Sequence, residues 1–259
     1  VRITRIGGPT LLVELDGWRI LLDPTFDPPG RRYAFGAGTS SVKTRGPAIS
    51  VEDVGPVDVV LLSHDGHADN LDDAGRALLP RAKHVVTTAH GARRLALPHA
   101  IGLRPGESRN LALEGRPALA VTATPARHGP PLSRPLVGPV VGFAVRRAGE
   151  ERVALWVTGD TVLHRALSAT ARRYDIDVAV VNVGGVGFPA TGPVKYTMTG
   201  PDAMRLVADA DPRVVVPAHY DGWSHFRDGE QGLRAAVLAA PPALRERVVW
   251  LPDGEPVEV

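Results

Sequence analysis

Short apolar runs separated by polar turns dominate the chain. RITRIG, TLLVEL, RILLDP, DVVLLS, HVVTT, ALAVTATP, VVGFAVRR, RVALWVTGD, DVAVVNVG, RVVVPAH and RVVWLP alternate or cluster valine and leucine in the manner of β-strands. NLDDAGRALLPRA, HGARRLAL, VLHRALSATARRY, TGPDAMRLVADAD and GEQGLRAAVLAAP carry helical spacing, and the fourth opens on Thr199 as a cap with Pro201 in its first turn. Strands fill the first half and strand-helix alternation the second, which predicts a mixed α and β fold with two sheets. Without an internal repeat or long linker, residues 1–259 are expected to form a single domain. The stretch Thr25 to Ser50 has no clear period and is open to two readings, a lid over a site or an ordered surface loop.

Composition narrows the chemistry. At 259 residues the chain can bury about three quarters of its unfolded surface. No apolar run approaches the roughly 20 residues that cross a bilayer. The opening VRITRIGGPTLLVEL alternates like a strand and lacks the basic-then-apolar order of an export signal, so the cytoplasm is the expected location. With no cysteine there are no disulfides, thiolate zinc sites or cysteine nucleophiles, which leaves His, Asp, Glu and Asn as metal ligands. The net charge is only +2 and the arginines are spread along the chain, so a small-molecule substrate is expected as partner and nucleic acid is not.

Candidate polar groups fall at one kind of place. His64 follows VDVVLL, His128 follows ALAVTATPAR, Asp160 follows VALWVTG and His219 follows RVVVPA. Each stands just past the C-terminal end of a predicted strand, where loops converge on ligands in many α/β folds. Imidazoles and carboxylates gathered in one cavity repel or desolvate each other unless a cation sits among them. His64 and His67 are three apart, whereas same-face positions on a strand are two apart. Gly66, able to adopt positive φ, is expected to bulge and turn His67 back. His84, His90, His99 and His164 stand in helical or turn contexts and read as structural. NVGGVGFP lacks phosphate-loop spacing and is expected to bring backbone close to the cavity.

From IGGPTLLVELDGWRILLDPTF through LLSHDGHADNLD, PARHGPP, VTGDT and VPAHYDGW, the chain resembles the metallo-β-lactamase-fold hydrolases. Its style is that of the branch containing L-ascorbate-6-phosphate lactonase and N-acyl phosphatidylethanolamine phospholipase D. The resemblance implies an α+β fold, a four-layer αββα sandwich of two mixed β-sheets flanked by helices. By position it implies His64, His67 and His128 around a first ion, and Asp69, Asp160 and His219 around a second, with Asp160 between them. One or two divalent ions are implied, zinc first, with manganese or iron as alternatives. The family pattern His-x-His-x-Asp-His here becomes His-Asp-Gly-His-Ala-Asp-Asn. Asn70 therefore has two readings, a weak amide ligand at a labile second site or the cap of a helix starting at Leu71.

A bound divalent ion lowers the pKa of its water from about 15.7 toward roughly 7 and so supplies a metal-bound hydroxide. The expected function is hydrolysis of a small or medium-sized ester, lactone or phosphodiester-type substrate, with Asp69 orienting the water. His225 is a candidate proton donor to the leaving group, and Tyr220 is either a further catalytic group or a buried aromatic. Arg127, Lys195, Tyr196 and Asp221 are candidate substrate contacts. Two alternatives stand beside this reading: a metal-binding or sensing protein that has lost hydrolysis, and an iron-dependent oxygen-using enzyme.

Overall fold

The computed structural model describes residues 1–36 and 38–259. The first strands, β1 (Arg2–Gly7), β2 (Thr10–Leu15) and β3 (Trp18–Leu22), form an antiparallel meander. After a separate hairpin of β4 (Arg32–Gly36) and β5 (Thr39–Val42), the parallel strands β6 (Val59–Leu61), β7 (His84–Thr88) and β8 (Ala100–Leu103) extend the sheet from β3. The second sheet runs from β9 (Ser108–Leu111) and β10 (Leu119–Pro125) through β11 (Val141–Arg147) and β12 (Val153–Val157) to β13 (Ile176–Asn182) and β14 (Val214–Ala218). Its first pairings are antiparallel and its last two parallel, so both sheets are mixed. The final strand, β15 (Pro256–Glu258), returns to cover the edge of β1.

Alternation along the strands decides the layers. Leu11, Val13 and Leu15 face inward to meet Val121, Phe143 and Val180 of the other sheet in one core. Leu12 and Leu21 face outward and pack with Leu71 and Leu78 from the α1 region (Asp73–Leu78) and with Leu95 of α2 (Ala89–Leu95). On the far side Trp156 and Val215 pack under α4 (Arg165–Ala171), α5 (Gly200–Ala210) and α6 (Gly229–Ala239), where Leu167, Leu206 and Leu233 are buried. The result is the four-layer αββα sandwich, a metallo-β-lactamase fold. Short helices α3 (Arg134–Val137) and α7 (Pro242–Arg245) complete it. Among the described residues no helix is long and apolar enough to cross a membrane.

Several local expectations change. Helix α1 starts at Asp73, and its cap is Asp72, whose carboxylate accepts from the Gly75 N–H; Asn70 lies in the preceding turn and caps nothing. Gly75 is required there, because a Cβ would fall 1.9 Å from the Pro24 carbonyl oxygen. RVVWLP forms no strand; it bridges to the sheet through Val215 and Val248 and buries Leu251 in the core. Strands β8 and β9 went unread because Gly102, Ser108 and Asn110 carry little strand preference, and pairing with β7 and β10 holds them in place. Helix α5 opens as read, with a capping box of Thr199 and Asp202.

Candidate metal centre

The loop after β6 carries His64, His67 and Asp69, and a bend at Asp65 and Gly66 folds it back on itself. Gly66 does not use positive φ, and a Cβ there would make only ordinary contacts, so the expected bulge is absent. The bend is held from outside: the Asp65 carbonyl accepts from Arg76 and Arg94, and its carboxylate pairs with Arg94 at 3.0 Å. The ends of β10, β12 and β14 supply His128, Asp160 and His219. His219 adopts φ +58, an uncommon left-handed conformation, and its N–H is tied to the Gly8 carbonyl. Gly184 lets the backbone pass here, since a Cβ would lie 2.4 Å from the His219 oxygen.

Two groups of ligand atoms result, His64 with His67 and His128, and Asp69 with Asp160 and His219, the atoms of each group within 4.8 Å of one another and the residues buried. In the first, His67 Nδ1 lies 3.0 Å from His64 Nε2 and 3.2 Å from His128 Nε2. One imidazole nitrogen carries either one proton or one lone pair, so it cannot satisfy both neighbours, and a cation among the three resolves the conflict. The outer nitrogens are already fixed. His128 Nδ1 donates to the Tyr196 carbonyl at 2.8 Å, and His64 Nδ1 meets Ser63 Oγ at 3.1 Å. Burial, reinforced by the neighbouring imidazoles, lowers the pKa of His64 to about 4 and that of His67 well below its usual value, so both keep lone pairs at neutral pH.

In the second group, His219 Nε2 stands 3.3 Å from both Asp69 Oδ2 and Asp160 Oδ2. Asp69 Oδ1, Asp160 Oδ2 and His219 Nε2 are buried without a hydrogen-bond partner among the described residues. Unpaired buried oxygens and nitrogens of this donor set fit a hard or borderline divalent cation. Burial opposes the charge of Asp69 and Asp160, yet the facing histidines outweigh it and hold both carboxyls below the usual range. For His219 burial likewise opposes protonation, but Asp160 and Asp69 win and raise it to about 9.

The family described as "Beta-lactamase superfamily domain" matches residues 18–220, a span that runs from β3 to just past His219. The chain belongs to this family. A UPF0173 metal-dependent hydrolase of Methanoregula boonei is 30% identical over 186 residues, covering 70% of this chain and 74% of that protein. Another, of Caldivirga maquilingensis, is 26% identical over 248 residues, covering 94% and 92%. The structure of isothiocyanate hydrolase from Delia radicum gut bacteria has the same fold, with a TM-score of 0.81 at 21% identity over 100% of this chain and 99% of that one. This beta-lactamase superfamily chain is a metal-dependent hydrolase.

The remaining expected residues of this superfamily member scatter. His225 is buried, with Nε2 2.9 Å from Asp69 Oδ2 and Nδ1 bonded to Ser41 Oγ. Tyr220 points away, into the helical layer, against Trp250 and under the Arg5 guanidinium, and is not part of the centre. Asp221 pairs with Arg5 and Arg45. Lys195 is exposed and reaches the Gly185 carbonyl at 3.4 Å. The Tyr196 ring meets His128 and Phe188 edge-on, and Arg127 lines a cavity beside His128. Asn70 Nδ2 donates to Asp23 Oδ2 at 3.2 Å and Ser63 Oγ at 3.3 Å.

Three contributors escaped the reading of the sequence. Asp23, at the end of β3, is buried, accepts from the Ser63 N–H at 2.7 Å, and is raised to about 7 by burial and by Asp160. Asn182, closing β13, donates to Asp160 Oδ1 at 2.9 Å. Both sit at strand ends, the same signal that marked His64 and Asp160. Phe35, from the β4–β5 hairpin, packs its ring 5.2 Å from His67 and 5.1 Å from His225, so the aperiodic stretch builds a wall of the centre.

Proposed function

We propose that the chain hydrolyses a small or medium-sized ester, lactone or phosphodiester-type substrate, with one ion held by His64, His67 and His128 and another by Asp69, Asp160 and His219. Zinc suits the imidazole-rich first set, and manganese or iron the second, richer in carboxylate. The observation that carries this is the pair of buried ligand sets, the first with imidazole nitrogens crowded against one another and the second with Asp69 Oδ1, Asp160 Oδ2 and His219 Nε2 unpartnered among the described residues. A divalent ion bound there activates water near neutral pH and polarises the bond under attack.

The protein groups prepare that chemistry. Asp69, gripped through Oδ2 by His225, would orient the attacking water with its unpartnered Oδ1. His225 is a positioning residue, anchored by Ser41. Asn182 sets Asp160, while Asn70 holds Asp23 through Nδ2 and keeps its Oδ1 buried without a partner among the described residues. Phe35 and Phe188 keep bulk water from His67 and His225.

The test is metal analysis of the purified protein, followed by a panel of lactones and phosphodiesters with and without chelator. His128→Ala and Asp160→Ala are expected to lose metal and activity together. Full metal content in both variants, or turnover untouched by chelator, overturns the proposal.

A further inference from the structure

A cavity of about 720 Å³ opens beside His128. Its charged lining consists of Arg93, Arg104, Arg127 and Arg134, with no carboxylate, and much of the remaining wall is aliphatic or proline. Elsewhere on the surface Arg2, Arg45, Arg147 and Arg213 each sit against an acid, and others such as Arg109, Arg165 and Arg173 do not among the described residues; what sets the cavity apart is four arginines gathered in one concave wall. Around the cavity only Arg104 is so compensated, by Glu107 at 3.3 Å; Arg93, Arg127 and Arg134 form no ion pair among the described residues. Arg127 Nε is moreover buried without a hydrogen-bond partner. Its backbone is fixed, since its N–H donates to Thr161 Oγ1 at 2.9 Å and its carbonyl accepts from the Val162 N–H. A buried guanidinium N–H without an acceptor carries a desolvation cost.

The position ties this cavity to the metal centre. Helix α3 separates it from a second cavity of about 490 Å³ lined by His64, His67 and Phe35, and Arg134 and His90 line both. The three-histidine cluster is thus approached from two sides: on the side of His128 the arginines stand without a carboxylate, whereas on the other Arg94 and Arg134 share the wall with Asp65. Guanidinium forks bind carboxylate and phosphate oxygens two at a time, and unpaired cations in a concave wall concentrate anions from solution.

We propose that the cavity beside His128 is a substrate subsite for an anionic group, a carboxylate or a phosphate, carried on an apolar body. This rests on the hydrolytic reading of the adjoining centre, with Arg127 and Arg134 as the residues that hold the anion while the scissile bond meets the histidine cluster.

The test is isothermal titration calorimetry of the metal-loaded full chain with hexanoate, hexyl phosphate and, as neutral control, hexanol, repeated after chelator treatment. At least one anion is expected to bind and hexanol not, with the anion preferred showing which acid the substrate carries. Arg127→Gln and Arg134→Gln are each expected to weaken that anion about tenfold. Arg81→Gln, on an exposed turn away from the cavity, leaves it unchanged, and binding survives chelation. Arg93→Gln and Arg134→Gln alter exposed side chains, so they report even if Arg127→Gln does not fold. Anions bound no better than hexanol, indifference to the arginines, or binding abolished by chelator overturns the subsite. Arginine-dependent binding in a protein with no chelator-sensitive hydrolysis sinks the hydrolytic reading alone; chelator-sensitive hydrolysis with arginine-independent binding sinks the subsite alone.

Discussion

Asp23 and His225 illustrate how single side chains take their properties from burial. The folded-state pKa of Asp23 is raised to about 7, first by desolvation and then by Asp160. Its contribution to stability is therefore complete below the ordinary carboxyl range and is lost as pH rises from about 4 to about 7. In chelator-treated protein, urea unfolding should reveal a loss of up to about 4 kcal/mol over that window from this group. Asp69 and Asp160, held low, act in the opposite sense and lose their contribution as pH falls, so the comparison of wild type with Asp23→Asn isolates Asp23: the variant should lack the loss. For His225 the expectation is kinetic. His225→Ala should slow kcat by about ten- to hundredfold with KM nearly constant, as for other groups that orient a ligand, and Ser41→Ala should do so more weakly. A rise in KM alone would place His225 on the substrate instead.

Between elements, the hairpin is tied down by charge buried within the fold. Lys43, just past β5, bonds Asp72 at 2.8 Å with both side chains buried, and the same carboxylate receives the N–H groups of Phe26, Asp27 and Gly75. Removing one partner leaves an uncompensated charge, so Asp72→Ala should cost about 3–5 kcal/mol in chemical denaturation. Lys43→Met in that background should return part of the loss, because it removes the orphaned ammonium. Phe35→Ala tests the wall instead of the anchor: KM should rise with little change in melting temperature. The hairpin was opaque in the text because its partners are remote. Val42 and Ser41 bond Ser224, and Lys43 bridges to Trp223, so no local period could announce it.

At the scale of the molecule, the centre joins both sheets. Its residues come from the ends of β6, β10, β12 and β14, and Asp23 adds the end of β3, so a bound ion ties strands of the two sheets together. Metal bound only by the folded state stabilises it by mass action, about 2.7 kcal/mol at one hundred times the dissociation constant. Chelation should therefore lower the melting temperature by several degrees and added zinc restore it, as read by differential scanning fluorimetry. His128→Ala should show a smaller response to both, and an identical response would remove His128 from the binding set.

Local order along the chain was sufficient for most of the strand runs, the capped α5 and the strand-end placing of His64, His128, Asp160 and His219, while the mixed sheets followed from the family resemblance. Period-two alternation and turn residues act over a few positions and can be read without knowing the fold. The tertiary structure alone decided the ordinary backbone of Gly66, the tether from Asn70 to Asp23, the outward turn of Tyr220 and the closure of β15 on β1. Each of these depends on what lies opposite: Ser41 meets His225 across 184 positions, and Arg2 faces Glu258 at the other end of the chain. Desolvation and partner charge belong to the assembled site, and no stretch of residues carries them by itself.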